Sequence, residues 1–302
     1  MLRSAFLALL LPLAAGCAAL GSVPGAQTDD RVLVSASWLA QNVSRPEVVV
    51  LHVARERAHY SEGHIPGAHY VPLSAFAVDR GNQVNVLPET GTIQQALRAA
   101  GVSDGSHVVL YGDLDGLAAA RAFFALDVHG FGQGTGRLSV LDGGLRAWRS
   151  AGGAVQAAAT PAPRAGTVSL ALRSDLVLSA ASVEARRGQA QTVLVDARPP
   201  AQHSGAEPGE GIRRPGHIPG SVNLFWQDDT RSDGTLRSPA ELRARYTRAG
   251  VVPGREVITY CRTGVQAAHA YLVARYLGFR PLLYDGSFHD WSNNTSYPVA
   301  RG

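Results

Sequence analysis

The chain has 302 residues, of which 45% are hydrophobic and 17% are charged, and its formal net charge at neutral pH is +4. This composition excludes a disordered chain and predicts a globular protein with room for two domains of ordinary size. The chain contains no lysine, and its arginines are spread along the sequence without forming a basic stripe. We therefore expect a small anionic substrate and no nucleic-acid partner.

The first 17 residues predict an export signal. Arg3 precedes the apolar run 6–11, which is too short to anchor the chain across a bilayer. The run leads to Leu13-Ala14-Ala15-Gly16-Cys17, which resembles a bacterial lipoprotein processing site with Cys17 as the lipid-modified first residue. An ordinary signal peptide cut near Ala18 is the alternative. We expect an exported protein of the bacterial cell envelope, lipid-anchored and facing the periplasm, with residues 18–31 as a tether.

Predicted strands and helices alternate through the first half of the chain, residues 32–156. In chain order they are a short helix capped by Ser35, a strand at 48–53, a Gly-His-Ile-Pro-Gly turn at 63–67, a helix near 93–100, a strand at 107–111, a helix at 117–128, and a strand with its turn at 138–144. Such alternation predicts a parallel sheet with helices on both faces.

The second half, residues 176–302, repeats this series. Ser179 matches the first helix cap, 192–198 matches the first strand, 216–220 is a second Gly-His-Ile-Pro-Gly turn, and 283–291 matches 140–148. Two copies of one α/β domain are therefore predicted in tandem. Residues 157–175, rich in small residues and proline, form the predicted linker.

A cysteine loop in the second half carries the strongest chemical signal. Cys261 ends the β-branched run 257–260 and precedes an alanine-rich helical pattern. Unpaired amides and the positive end of a helix dipole favour an anion at that place, and Arg262 supplies a cation, so we expect a nucleophilic thiolate. A small buried hydrophobe is the alternative reading of the cysteine. If Cys17 is lipid-modified, Cys261 has no disulfide partner within the chain.

From about residue 34 to 299 the chain resembles the tandem-domain rhodaneses, the thiosulfate and 3-mercaptopyruvate sulfurtransferases. The motifs that carry the resemblance are the strand ending Asp196-Ala197-Arg198, the two Gly-His-Ile-Pro-Gly turns, the loop Cys261-Arg262-Thr263-Gly264-Val265-Gln266, and the segment 285–291 that begins Asp-Gly-Ser and ends in Trp.

The resemblance implies that only the second copy is catalytic. It also implies a persulfide on Cys261, held by the loop residues Arg262, Thr263, Gly264, Val265 and Gln266. Counted back from the loop glycine, Asp113 takes the place of the cysteine in the first copy, and Val53 stands where the second has Asp196. Arg198 matches the family's substrate-binding arginine, and a structural ion pair is the alternative.

The sulfur donor stays open at this point. Thiosulfate-preferring members usually carry a second cation in the loop and mercaptopyruvate-preferring members a Gly-Ser-Gly loop; Arg262 fits the first pattern and the hydroxyl of Thr263 the second. We expect thiosulfate as donor and cyanide or a thiol as acceptor, with 3-mercaptopyruvate as the alternative donor. We also expect a monomer with no cofactor and no metal site.

Two further functions compete with sulfur transfer. Cdc25-type phosphatases and arsenate reductases share the fold, but they need an arginine six positions after the cysteine, where this chain has Ala267. A lipid-anchored sulfur-carrier or binding module would form a persulfide without turning it over.

Overall fold

The computed structural model describes residues 27–133 and 137–302. Strands and helices of the first half are β1 (Leu33–Val34), α1 (Ala36–Asn42), β2 (Val48–Ala54), α2 (Arg57–Glu62), β3 (His69–Pro72), β4 (Val78–Arg80), β5 (Gln83–Val86), α3 (Thr90–Ala99), β6 (His107–Gly112), α4 (Leu117–Val128), β7 (Arg137–Leu141) and α5 (Gly144–Ser150). The predicted signal, Cys17 and residues 18–26 of the predicted tether lie outside the described residues. Residues 27–31 of the tether are described, and the N–H of Asp29 donates to the carbonyl of Tyr276 at 2.9 Å.

The second half repeats the same series. Its elements are β8 (Val177–Leu178), α6 (Ala180–Arg186), β9 (Thr192–Asp196), α7 (Pro200–Ser204), β10 (Val222–Asn223), α8 (Pro239–Arg248), β11 (Glu256–Tyr260), α9 (Val265–Tyr276), β12 (Leu282–Tyr284) and α10 (Ser287–Asn293). Short 3₁₀ turns occur at Leu73–Ala75, Leu114–Gly116, Ser174–Leu176 and Trp226–Asp229. No helix in these described ranges is long and apolar enough to cross a membrane.

Each half is built on a five-stranded parallel sheet, and the two sheets have the same strand order. The first runs β1-β7-β6-β2-β3 and the second β8-β12-β11-β9-β10, while β4 and β5 form a separate antiparallel hairpin. Ser35 and Ser179 cap equivalent helices, each accepting a backbone N–H with its side chain. The predicted tandem α/β fold, with helices flanking parallel sheets, is confirmed.

Helices α4 and α9 form the joint between the halves. Every residue of α4 is buried, and α9 is buried along most of its length. A helix that is apolar on all sides has to pack against protein on all sides. Each of these two helices packs on the sheet of its own half, and the two helices also pack against each other. The buried surface of α9 is therefore much wider than the single sheet-facing stripe that its sequence spacing predicts.

Asp127 places a carboxylate within this helix joint. It accepts hydrogen bonds from the hydroxyl of Tyr271 at 2.7 Å and from Nε of Arg275 at 2.9 Å, both on α9. Phe124 packs its ring edge-on against Tyr271, with centroids 5.1 Å apart. The acidic side chain is 3% exposed, so these partners stabilise a charge that would otherwise be costly to bury.

A tyrosine in each central strand fixes how the two halves correspond. The hydroxyls of Tyr111 and Tyr260 accept the backbone N–H of the isoleucine in their own Gly-His-Ile-Pro-Gly turn, at 3.1 and 3.2 Å. The residues that follow them, Gly112 and Cys261, are therefore equivalent. The assignment of Asp113 to the cysteine position is wrong, because the loop before α4 is one residue longer than the loop before α9.

The same register corrects a second equivalence. In the sheets, His52 pairs with Tyr111 and Asp196 pairs with Tyr260. The first-half counterpart of Asp196 is therefore His52 and not Val53. The first error comes from the extra loop residue, and the second arises because Ala54-Arg55 and Ala197-Arg198 align in sequence one residue out of step with the strands.

Asp127→Asn is predicted to lower the free energy of unfolding by about 3 kcal/mol, because it leaves Arg275 without its buried counter-charge. Chemical denaturation followed by circular dichroism measures this change. The matched control is Asp175→Asn, which removes a carboxylate from an exposed ion pair with Arg280 and should cost less than about 1 kcal/mol. Equal effects of the two substitutions would contradict a stabilising role for the helix joint.

Candidate functional site

Cys261 lies between the end of β11 and the start of α9, as the sequence predicts. Its side chain is buried, with 1% exposed. The backbone N–H of Gly264 donates to Sγ at 3.1 Å, which closes the loop over the sulfur. A sulfur atom at a helix N-terminus with an amide directed at it is placed to carry negative charge.

Gly264 holds the conformation on which that contact depends. Its φ is +91°, a left-handed value that glycine adopts without steric cost. A Cβ atom there would come within 3.1 Å of the Asp285 carbonyl oxygen. Within the described residues, the amides of Arg262, Thr263, Val265 and Gln266 have no acceptor. The loop therefore offers one amide bonded to the sulfur and several further N–H donors in the same short segment.

The first residues of α10 form hydrogen bonds with the backbone of the cysteine loop. Ser287 Oγ accepts the N–H of Cys261 at 3.2 Å and donates to the carbonyl of Tyr284 at 3.0 Å. The N–H groups of Phe288 and His289 donate to the carbonyls of Cys261 and Arg262 at 2.8 and 2.9 Å. These bonds fix the backbone on both sides of the sulfur.

The first half of the chain supplies the other wall. Asn85 Nδ2 donates to the hydroxyl of Thr263 at 3.1 Å. Asp285 accepts the N–H of Leu87 at 2.7 Å and Nη1 of Arg121 at 2.9 Å. The cysteine loop and the neighbouring Asp285 of the second half are thus held by residues of the first half.

Arg262 is the loop's only charged side chain. Its guanidinium pairs with Glu210 at 3.1 Å and keeps about a third of its surface exposed. Gln266, two residues beyond Gly264, has a buried Oε1 with no donor among the described residues. The guanidinium of Arg262 and the Oε1 atom of Gln266 therefore belong to the same loop segment as the unpaired backbone amides.

Arg198 is engaged in the ion pair that the sequence left as the alternative to substrate binding. It is fully buried, donates to both oxygens of Asp196 and to the carbonyl of Gly216, and lies 4.1 Å from the ring centre of Phe288. Burial alone would lower the pKa of Arg198, but the carboxylate of Asp196 outweighs it and raises that pKa. Nη1 has no partner among the described residues, so a substrate anion could contact Arg198 only through that nitrogen.

A cavity of about 570 Å³ lies beside the loop, between the two halves. Its lining includes Asn82 from the first half and Arg213 and His289 from the second. His289 links this cavity to the cysteine loop, because its backbone N–H donates to the carbonyl of Arg262, while residues 261–266 themselves do not line the cavity.

The corresponding position of the first half cannot hold a catalytic side chain. A Cβ atom on Gly112 would overlap the carbonyl oxygen of Val53. The carboxylate of the neighbouring Asp113 is hydrogen-bonded to Nδ1 of His59 at 2.6 Å and to Nε2 of His52 at 3.4 Å. Across the described parts of the chain, no cluster of three or more histidine, cysteine or acidic residues is arranged to bind a metal.

Sequence reasoning missed three residues that position the loop. Arg121 carried a usable signal, because it is the one arginine in the helical run 117–128, which is otherwise apolar except for Asp127. Ser287 belonged to a recognised motif without an assigned role. Asn85 gave no signal, since it lies in the short strand β5 and its partner is 178 residues away.

Comparison with known proteins places these residues in a wider group. The family model for the rhodanese-like domain matches residues 35–151 and again residues 179–294. A probable 3-mercaptopyruvate sulfurtransferase of Pseudomonas aeruginosa is 35% identical, over 89% of this chain and 98% of that protein. A thiosulfate sulfurtransferase of the same organism is 30% identical, over 90% and 98% of the two chains.

Two further similarities extend this comparison. A sulfur carrier protein of Thermus thermophilus is 30% identical, over 90% of this chain and 97% of that protein. Among solved structures, an anaerobic ergothioneine biosynthesis enzyme from Chlorobium limicola bound to trimethyl histidine is 25% identical, with a TM-score of 0.79, over 90% of this chain and 70% of that one.

Gly264→Ala is predicted to slow alkylation of Cys261 by iodoacetamide about tenfold, because the displaced amide no longer stabilises negative charge on the sulfur. The rate is measured by mass spectrometry under native conditions. Gly254→Ala is the matched control, since Gly254 also has a left-handed φ of +86° but its added methyl group would meet nothing within 4 Å. Alkylation at the native rate in both variants would contradict the role given to the Gly264 amide.

Proposed function

Because the chain belongs to the rhodanese-like sulfurtransferases, we propose that it transfers a sulfane sulfur from thiosulfate to cyanide or a thiol through a persulfide on Cys261. The observation that carries this proposal is the contact between Sγ and the Gly264 amide at the N-terminus of α9. It is supported by the other amides of the same loop, which have no acceptor among the described residues and could donate to a second sulfur bound to Cys261.

The reaction is a double displacement that balances without a cofactor. The Cys261 thiolate attacks the outer sulfur of thiosulfate, a sulfur–sulfur bond forms, and the donor's own sulfur–sulfur bond breaks with its electron pair leaving on sulfite. Cyanide or a thiolate then attacks the terminal sulfur of the persulfide. Thiocyanate or a new persulfide departs, and the Cys261 thiolate is restored.

The loop amides stabilise the negative charge that develops on the terminal sulfur of the Cys261 persulfide. Preorganised N–H donors stabilise such charge without having to reorient, and loss of one donor in comparable sites costs about 3–4 kcal/mol. The bonds from Ser287, Phe288 and Asn85 support this role, because they hold the loop in place before the donor arrives. Arg262 adds a cation for the sulfonate group of thiosulfate.

3-Mercaptopyruvate is the second candidate donor. It is favoured by the name of the relative with 35% identity and by the hydroxyl of Thr263. A non-turnover sulfur carrier is favoured by the name of the Thermus relative. A phosphatase has less support, because Ala267 occupies the position where an arginine would bind phosphate.

Cys261→Ala is predicted to abolish sulfur transfer and to leave the fold intact, because a small apolar side chain fits the buried position. Steady-state formation of thiocyanate from thiosulfate and cyanide, and separately of pyruvate from 3-mercaptopyruvate and a thiol, measures the loss and identifies the preferred donor. Arg262→Ala should reduce kcat/KM for thiosulfate at least tenfold.

The outcomes separate the alternatives. Residual turnover in Cys261→Ala would contradict the persulfide mechanism, and a larger kcat/KM for 3-mercaptopyruvate would replace thiosulfate as the donor. A persulfide that accumulates on the native protein without turnover would indicate a carrier. Release of phosphate from an aryl phosphate at a comparable rate would indicate a phosphatase.

We also propose that the protein is exported and anchored by a lipid on Cys17, which would hold it in the cell envelope facing the periplasm. The support is the Leu-Ala-Ala-Gly-Cys sequence that follows the apolar run.

Full-length protein expressed in a Gram-negative host is predicted to accumulate as a larger precursor when globomycin blocks lipoprotein processing. Immunoblotting of membrane fractions measures the shift. Cys17→Ala should abolish the membrane-bound form, whereas Cys261→Ala should be processed normally. Processing that is insensitive to globomycin would favour an ordinary signal peptide.

A further inference from the structure

A second cavity, of about 200 Å³, lies at the carboxyl ends of the first sheet. The first half contributes Gly112, Gly116 and Asp142 to its lining, and the second half contributes Gly234 and His269. It is thus the counterpart, in the first half, of the region behind the cysteine loop. Nothing in the proposed sulfur transfer uses it.

In the second half, the equivalent carboxylate is fully partnered. One oxygen of Asp285 accepts the N–H of Leu87 at 2.7 Å, and the other accepts Nη1 of Arg121 at 2.9 Å. Arg121 is fully buried and also donates Nε to the carbonyl of Phe76 at 3.1 Å. A guanidinium from α4 therefore fills the space beside this carboxylate and balances its charge.

In the first half, the same arrangement lacks its cation. Asp142 accepts the N–H of Leu236 at 2.8 Å, as Asp285 accepts that of Leu87, but it forms no ion pair with any described residue. Helices α4 and α9 have equal length, and His269 holds the position in α9 that Arg121 holds in α4. An imidazole is too short to reproduce the contact that the guanidinium makes.

His269 is itself left unsatisfied. It is 4% exposed, and its Nδ1 has no hydrogen-bond partner within the described ranges. Burial lowers the pKa of His269 to about 4, so the ring is neutral at physiological pH and supplies no charge to the cavity. Burial also raises the pKa of Asp142, although the hydrogen bond from Leu236 and the charge of Arg231, which forms no ion pair with this carboxylate, act in the opposite direction.

A second difference between the halves keeps the cavity open. Asn85 and Gly234 each lie two residues before the leucine that binds the aspartate, and both have a positive φ, +57° and +86°. The side chain of Asn85 reaches across to Thr263, whereas Gly234 has no side chain to extend. The first-half site therefore lacks counterparts of the two side chains, Arg121 and Asn85, that are present at the second-half site.

We propose that this cavity binds a small guanidinium-type cation, whose N–H groups contact Asp142 in the way that Arg121 contacts Asp285. The planar group matches a carboxylate geometrically, and the apolar side chains of Leu33, Val140 and Leu272 would receive a short alkyl tail. Arg146 lines the rim but donates to the carbonyl of Ser232 at 2.8 Å, so it does not take this role.

Isothermal titration calorimetry of the native protein with n-butylguanidinium tests the proposal, with n-butylurea as the uncharged probe of the same shape. We expect saturable one-to-one binding of the cation and at least tenfold weaker binding of the urea. Equal binding of the two compounds, or no binding of the cation, would overturn the proposal. The titration needs no sulfur substrate and should be unchanged in Cys261→Ala, so its failure would leave the sulfurtransferase proposal standing.

Three variants locate the contact. Asp142→Asn should weaken binding of n-butylguanidinium at least tenfold, whereas Asp115→Asn, which removes an exposed carboxylate from the same cavity, should change it less than threefold. His269→Arg places a guanidinium inside the cavity and should abolish binding without lowering the thermal unfolding midpoint. Native affinity in Asp142→Asn or His269→Arg, or equal losses in the two aspartate variants, would overturn the assignment.

Discussion

One carboxylate, that of Asp285, connects the two halves of the molecule at the reactive loop. The side chain of Asp285 binds Leu87 and Arg121 of the first half, and its backbone carbonyl oxygen would lie only 3.1 Å from a Cβ atom added at Gly264. The turn that directs an amide at Cys261 therefore packs against a residue that the first half of the chain holds in place. Removing one partner of such a buried ion pair costs far more stability than the intact pair contributes, because the other charge is left buried and unpaired. The contact between the halves is therefore sensitive to substitution.

The repeated fold and the main chemistry of the site could be predicted from sequence, because both are expressed locally. The helix at 117–128 and the caps at Ser35 and Ser179 follow from apolar runs, glycines and hydroxyl side chains. Cys261 follows from its place between a strand and a helix. What could not be predicted depends on contacts between distant segments, such as Asn85 with Thr263 and Arg121 with Asp285.

Which residues of the two halves correspond could not be predicted from the sequence either. The Ala-Arg dipeptides suggested one register, whereas the hydrogen bonds of Tyr111 and Tyr260 set another. Arg198 shows a related limit: its neighbour Asp196 is visible in the sequence, but only the buried geometry shows that the two are bound to each other. In both cases a distance between two side chains or strands decides the answer, and a sequence motif gives no distances.

Gly112 limits what the first half can carry at the position equivalent to Cys261. A cysteine there needs more than a change of codon, because its Cβ atom would collide with the Val53 carbonyl and the loop before α4 would still be one residue longer than the loop before α9. The strand end and the loop would have to change together to place a thiol at a helix N-terminus. A single substitution therefore cannot give the molecule a second site of the Cys261 kind.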